Sequence, residues 1–377
     1  MSQPRKTWAI YAITRHGAAI ATRLAEQLVD ADVYASARVQ ALVAAHALPL
    51  PLPMGPLLAD TFAAYDCHVF VISVGAVVRM VAPLLRDKKI DPAVVCVDDA
   101  ARFSVCLLSG HVGRGNAFAE QVGAVLGAQP VITTASDVQG TLTVDILGRA
   151  LGWVLDDANR NVTRGCAAVV NAAPVAFVQE CGEPTWWDAG KPLPPGVSYH
   201  TALDEVVPEV YEMLLIASDR DVRATHPVHW DKAVVYRPKT LVLGLGCDKN
   251  TPVDLVARGV HGLLADCGLA QASLKALATI DKKADEPAFV ALAARLGVPL
   301  VTYPAAALDG VAGVENPSEV VKKYVGTRSV AEAACLRAAG ASALLVPKRS
   351  YTEPGAGRTM TLAVARVPFK KRDEGER

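Results

Sequence analysis

One pattern constrains this chain more than any other: four times, a short unbroken apolar run ends in a polar, glycine-containing turn and passes into an amphipathic stretch. The turns are 14–17 (T-R-H-G), 73–79 (S-V-G-A-V-V-R), 109–116 (S-G-H-V-G-R-G-N) and 244–251 (G-L-G-C-D-K-N-T). Apolar runs such as 69–74 and 241–245 suit strands covered on both faces. Strands covered on both faces and separated by helices build a mostly parallel sheet with right-handed crossovers. The expected fold class is α/β, with mostly parallel sheets flanked by helices.

The pattern divides the chain into three parts. Residues 1–139 read as an α/β domain, with strands at 8–13, 32–35, 67–74, 94–97, 103–108 and 131–134 and helices at 18–28, 77–85 and 116–126. Residues 140–236 are less regular and are expected to form a smaller middle domain, with a helix over 144–155. Its Pro- and Gly-rich run at 183–196 reads as a surface loop, in which Trp186 and Trp187 either cover a domain face or stack on a flat ligand. Residues 226–240 look like a linker, after which 237–377 form a second full α/β domain. Helices are expected there at 252–266 and 287–296, and strands at 300–303, 343–346 and 361–367. Ser329 and Glu332 match a capping box opening a further helix. The charged tail, 370–377, is expected to fray.

Composition excludes several classes. The chain has 377 residues, 51% of them hydrophobic, yet no stretch reaches the roughly 20 unbroken apolar residues of a membrane span. The opening M-S-Q-P-R-K-T-W runs directly into a strand pattern without a secretory h-region, so a cytoplasmic location is expected. Eight scattered cysteines include no C-x-x-C pair, which gives no support to thiolate zinc, and no metal ligand set is assigned. Net charge is zero, from 38 basic and 38 acidic residues, which argues against a nucleic-acid surface but not against a small anionic ligand. Neither a P-loop nor a complete dinucleotide fingerprint is present.

The glycine turns are the expected site of chemistry. Free N–H groups at helix starts attract carboxylate or phosphate oxygens, and in parallel sheets such turns gather at the carboxyl ends of the strands. Candidate binding residues are Ser73, Gly75 and Arg79, then Ser109, Gly110, Gly113 and Asn116, then Gly244 and Gly246. Asn116 is equally readable as the cap of its helix, and Arg79 as half of a surface ion pair. His111 is the candidate acid–base group, or else a ring that holds its loop in shape. The run 278–287 (A-T-I-D-K-K-A-D-E-P) offers Asp281 or Glu286 as an alternative base and Lys282 as an anion clamp. Its plainer reading is a solvated helix start before Pro287.

These same segments carry a family resemblance. V-I-S-V-G-A-V-V-R (71–79), L-L-S-G-H-V-G-R-G-N (107–116) and I-T-T-A-S-D-V (132–138) resemble the amino-terminal half of the cobalamin biosynthesis protein G family, CbiG. L-G-L-G-C (243–247), L-A-T-I-D-K-K-A-D-E-P (277–287) and V-G-T-R-S-V-A-E-A-A (325–334) are similar to that family's carboxy-terminal domain, which also occurs alone as CobE. The last segment adds Thr327 and Ser329 to the candidate binding residues. The resemblance implies a cobalt-precorrin-5A hydrolase, which opens the δ-lactone of the contracted macrocycle and releases acetaldehyde. The substrate would be a flat, carboxylate-rich tetrapyrrole, passed between corrin-pathway enzymes. Its cobalt would arrive within it, so no protein cofactor is expected. On this reading His111 activates the attack on the lactone carbonyl, and N–H groups of 110–115 stabilise the oxyanion. A non-catalytic tetrapyrrole carrier is the alternative from a different class; a corrin methyltransferase is disfavoured, because nothing marks an S-adenosylmethionine site.

Overall fold

The computed structural model describes residues 5–43, 46–158, 160–188, 190–355 and 357–369. The tail 370–377 lies outside the described residues. The chain forms two compact units, Met1–Ile146 and Leu147–Arg377, and its fold class is α/β.

Unit 1 holds one seven-stranded sheet: β1 (Lys6–Ala12), β2 (Ala31–Ser36), β3 (Leu48–Leu50), β4 (Tyr65–Phe70), β5 (Ala93–Val97), β6 (Phe103–Leu108) and β7 (Gln129–Val131), in the order β3-β2-β1-β4-β5-β6-β7. Alternate residues of β1 enter two separate cores. Trp8 and Ile10 pack with Ile20, Leu24 and Phe118, while Ala9 and Tyr11 pack with Leu58, Phe70 and Val77. Covering both faces is what the unbroken apolar runs required. β1 to β5 are parallel, but β6 runs antiparallel to β5, and β7 follows β6.

Unit 2 holds two sheets. The first contains β8 (Val154–Leu155), β9 (Val175–Gln179), β10 (Val197–His200), β11 (Met213–Ala217) and β12 (Ala233–Arg237), in the order β10-β9-β11-β12-β8. The second contains β13 (Leu241–Cys247), β14 (Leu274–Ile280), β15 (Leu300–Tyr303), β16 (Val346–Thr352) and β17 (Thr359–Arg366), in the order β15-β14-β13-β17-β16. Here β13, β14 and β15 are parallel, and β17 returns antiparallel beside β13. An ion pair between a buried aspartate and a partly exposed arginine joins the two sheets. Asp219, 1% exposed, accepts from Arg366 Nε and Nη2 at 2.7 Å each and from Thr240 Oγ1 at 2.6 Å.

Four expectations change. No helix covers 144–155. A short turn, Arg149–Leu151, lies between Gly148 and Gly152, both with left-handed φ, and Gly148 leaves the space that the Trp153 ring fills. The linker at 226–240 contains the buried strand β12, whose last residue, Arg237, is 1% exposed and donates to Ser218 O and Asp156 Oδ2. Ser329 does not cap a helix: the helix Ala331–Ala339 follows Val330, and buried Glu332 instead accepts from the N–H groups of Glu315, Asn316 and Lys348. The strand expected at 343–346 begins where that range ends and continues to Thr352, as a polar edge strand whose residues largely face solvent. Of the two tryptophans, Trp186 is buried against Phe177 and donates to Gln179 Oε1, so it covers the sheet, and Trp187 donates to Lys191 O.

Candidate active site

Strand direction decides where each glycine turn lies. β1, β4 and β5 end at one edge of the unit 1 sheet. β6 runs the other way, so the 109–116 turn leaves from the opposite edge, beside the residues that precede β5. Ser109 Oγ donates to Asp91 O at 3.1 Å, which fixes that placement. The expected gathering of turns therefore fails within unit 1: His111, Ser109, Gly110, Gly113 and Asn116 stand together, and Ser73, Gly75 and Arg79 stand at the other end.

The His111 loop is a tightly folded turn. Ser109 and Arg114 take left-handed φ values, 56° and 62°, and the loop's own carbonyls accept from Arg114 N, Gly115 N and Asn116 N. Those N–H groups are thus committed to the loop, which removes Arg114 and Gly115 from the expected oxyanion donors. Gly110 sits against the Asn116 side chain and Gly113 against Ser109. Asn116 is not a cap: the helix Gly115–Leu126 starts before it, and its Nδ2 donates to Thr134 Oγ1 at 3.0 Å.

Within this frame His111 lies between two partners that sequence reasoning missed. Its Nδ1 is 3.1 Å from Asp145 Oδ1 and 3.2 Å from Oδ2, and its Nε2 is 3.1 Å from Ser136 Oγ. A carboxylate only accepts, so Nδ1 carries the proton; in the neutral ring Nε2 then accepts from the Ser136 hydroxyl. The His111 and Asp145 side chains are 14% and 17% exposed, and Ser136 is buried. Ser136 reaches this edge because β7 runs parallel to β6. Asp145 is anchored by Leu142 and Val144, both buried. A signal for it existed: a lone acid inside L-T-V-D-I-L (142–147) requires a partner. The expected helix over 144–155 obscured it.

The opposite edge is acidic. Thr14 caps the helix Arg15–Gln27 and donates to Asp99, and His16 Nδ1 lies 3.0 Å from Asp99 Oδ2. The hydrogen bonds from Thr14 and His16 hold the Asp99 carboxyl below its usual range, so it stays charged. A cavity of about 740 Å³ lies here, lined by Ser73, Ile13, Val97, Asp98 and Asp99 among others. Arg79 turns back along its own helix, donating to Gly75 O at 2.8 Å.

The C-terminal sheet of unit 2 behaves as expected for parallel strands. A cavity of about 460 Å³ opens at the carboxyl ends of β13 and β14, lined by Gly246, Lys282, Ser329 and Thr361, by the cations Lys283, Arg328 and Lys348, and by one carboxylate, Asp248. Arg328 pairs with Glu319, and Lys283 with Glu286. Lys282 and Lys348 donate to the carbonyls of Val325 and Asn316, and among the described residues neither forms a salt bridge. The Ser329 hydroxyl is buried without a partner among the described residues. Thr327 is fully buried and bonds Ser329 O within the turn. Gly244 is a packing position and not an anion-binding one. A Cβ there would come within 1.8 Å of Ala331 O, so the helix Ala331–Ala339 rests directly on its backbone. Asp281 is exposed and accepts from Lys282 N, and Glu286 is buried, accepting from Asn250 N and Lys283 Nζ. Neither carboxylate lines the cavity.

Among the described residues no helix is long and apolar enough to cross a membrane, and no cluster of ligating side chains forms a metal site. Comparison with known proteins adds the lineage. Residues 56–137 match the cobalamin synthesis G N-terminal family, 142–238 the cobalamin biosynthesis central region and 241–365 the cobalamin synthesis G C-terminus. The chain is 36% identical to the cobalt-precorrin-5A hydrolase of Priestia megaterium, over 97% of this chain and 96% of that one. It is 31% identical to the cobalt-precorrin-5A hydrolase of Salmonella typhimurium, over 85% and 89% of the two chains. Protein CobE of a Sinorhizobium species is 43% identical over 110 residues, 29% of this chain and 71% of CobE. With likeness running through all three sheets and along nearly the whole length, the chain belongs to the cobalamin biosynthesis protein G family.

Proposed function

We propose that the protein hydrolyses cobalt-precorrin-5A and that His111, oriented by Asp145, is the general base at the lactone carbonyl. The observation that carries this reading is the Asp145–His111–Ser136 chain, in which each hydrogen bond fixes the next group's proton. Asp145 holds the proton on Nδ1, leaves the Nε2 lone pair to accept one, and stabilises the imidazolium that forms when it does. Opening the δ-lactone frees the alcohol oxygen of the extruded two-carbon fragment, which leaves as acetaldehyde when its carbon–carbon bond to the macrocycle breaks.

The cationic cavity of unit 2 serves binding. A tetrapyrrole carrying acetate and propionate groups meets Lys282, Lys348 and the buried Ser329 hydroxyl there, whereas the Asp98 and Asp99 edge of unit 1 repels it. The cobalt enters and leaves with the substrate, and the reaction belongs to the cytoplasm with the other corrin-forming steps. Glu286 and Asp281 serve their loop rather than the proton transfer.

Anaerobic incubation of the full chain with cobalt-precorrin-5A tests this. Wild type releases acetaldehyde, and His111→Ala slows release by about 10²-fold or more, the usual contribution of a positioned base. Near-normal release by His111→Ala removes His111 from the role.

A further inference from the structure

The chain of three side chains specifies more than a base, because the atom already hydrogen-bonded to the His111 Nε2 lone pair is the Ser136 hydroxyl. A base that only activated water would need that lone pair open to a water molecule. Here it is directed at a serine oxygen 3.1 Å away, with Asp145 on the far side of the ring 3.1 Å from Nδ1. Nucleophile, base and orienting carboxylate in hydrogen-bond series are the arrangement from which a hydroxyl attacks a carbonyl. Three segments supply them, and hydrogen bonds tie these together, from Asn116 Nδ2 to Thr134 Oγ1 and from Thr141 N to Ser136 O. His111 is set by the 109–116 turn after β6. Ser136 follows β7, and its carbonyl is fixed by Thr141 N at 3.0 Å. Asp145 is held by the apolar anchors before it, Leu142 and Val144.

We infer that Ser136 is the nucleophile of this site and that the lactone is opened by acyl transfer to its Oγ. The inference rests on His111 being the base at the lactone. Ser136 Oγ bonds to the lactone carbonyl carbon as its proton passes to His111 Nε2. The tetrahedral intermediate collapses, the acyl carbon–oxygen bond of the lactone breaks, and the departing alkoxide takes the proton back from Nε2. The carboxyl arm of the substrate is then an ester of Ser136. Water attacks that ester and gives its proton to Nε2, the ester bond breaks, and Ser136 recovers its proton as the free carboxylate leaves. No oxidant, reductant or further co-reactant enters, and the substrate class is that of cyclic and open carboxylic esters.

The test is millisecond-to-second acid quench of the full chain with cobalt-precorrin-5A, followed by peptide mass analysis. The expected result is a substrate-derived ester on the peptide containing Ser136. Ser136→Ala should lose the adduct and slow acetaldehyde release by at least about 10³-fold, since removing a serine nucleophile of such a series can cost up to about 10⁶. Ser136→Cys should restore the adduct as a thioester, which a merely structural hydroxyl would not do. If no adduct forms in wild type and Ser136→Ala turns over within about threefold of it while His111→Ala is inactive, Ser136 is not the nucleophile and His111 activates water instead. Near-normal turnover by both alanine variants would overturn the base assignment and this inference together.

Discussion

The unit 1 sheet and the C-terminal sheet of unit 2 begin from the same sequence pattern, apolar run, glycine turn and helix, and use it differently. In the C-terminal sheet β13 to β15 share one direction, so the turn residues Gly246, Lys282 and Lys283 meet over a single cavity. In unit 1 the reversal at β6 sends the His111 turn to one edge and the Thr14 and Ser73 turns to the other. The parallel arrangement collects Lys282, Lys283, Arg328 and Lys348 around one cavity. The reversed arrangement separates the acidic edge from the edge that carries Asp145, His111 and Ser136, which under the proposed mechanism keeps a carboxylate-rich substrate away from Asp98 and Asp99. Strand direction, more than the turn itself, decides what each glycine loop does.

The largest expected effect probes the His111 edge. Asp145→Asn offers Nδ1 a neutral amide, which no longer selects the tautomer that leaves Nε2 able to accept. Saturating acetaldehyde release should fall by about 10³-fold, with thermal unfolding little changed. The same substitution at Asp98 should leave turnover near wild type, because the proposed chemistry lies at the opposite edge.

A second prediction separates the stability of the two units. Asp219→Ala strips the carboxylate from Arg366 and Thr240 at the junction of the two unit 2 sheets. Arg366 is partly exposed, so the loss should fall below the about 3–5 kcal/mol of a fully buried pair, but amides of β11 to β17 should still lose hydrogen-exchange protection while those of β1 to β5 keep theirs. Equal loss in both units would contradict the division.

Acid should act on the other side of the comparison. Among the described histidines only His68, in unit 1, is fully buried, where it accepts from Tyr11 Oη and donates to Phe62 O. Burial lowers its pKa to about 4. The unfolded chain therefore takes up the proton first. His68 leaves stability untouched above about pH 6.5 and removes it progressively between pH 6.5 and 4, by on the order of 3 kcal/mol. Urea unfolding at pH 7 and pH 5 should show the loss in unit 1, and His68→Phe should flatten the slope. A slope that persists in that variant would point to another group.

The smallest effect belongs to the cationic cavity. Lys282→Ala or Lys348→Ala should weaken binding of cobyrinic acid, a stable corrin polycarboxylate, by about tenfold or less per residue, with the loss shrinking in high salt. Unchanged binding in both would move the carboxylate site elsewhere.

Much of this is legible in the sequence alone. The apolar runs at 69–74 and 241–245 announce strands covered on both faces, and the order of the motifs identifies the family. What stays hidden depends on partners distant in the chain. Nothing local in F-S-V-C-L-L reveals that β6 runs against β5. Asp145 is concealed in a stretch with helical spacing that Gly148 and Gly152 break by their backbone angles. Arg237 resembles a charged linker residue because its acceptors, Asp156 and Ser218, lie 81 and 19 residues away. Gly244 resembles an anion loop but makes room for a helix. His111 is legible as a residue type in an exposed-looking turn; its chemistry becomes legible only with Ser136 and Asp145 beside it.

The division of labour is tested most directly by single-turnover acetaldehyde release from cobalt-precorrin-5A by His111→Gln, measured in a preparation that binds cobyrinic acid as wild type does. The expected result is a rate lowered by about 10³-fold with binding unchanged. A rate within about threefold of wild type at unchanged binding would contradict the assignment of the chemistry to this edge of unit 1.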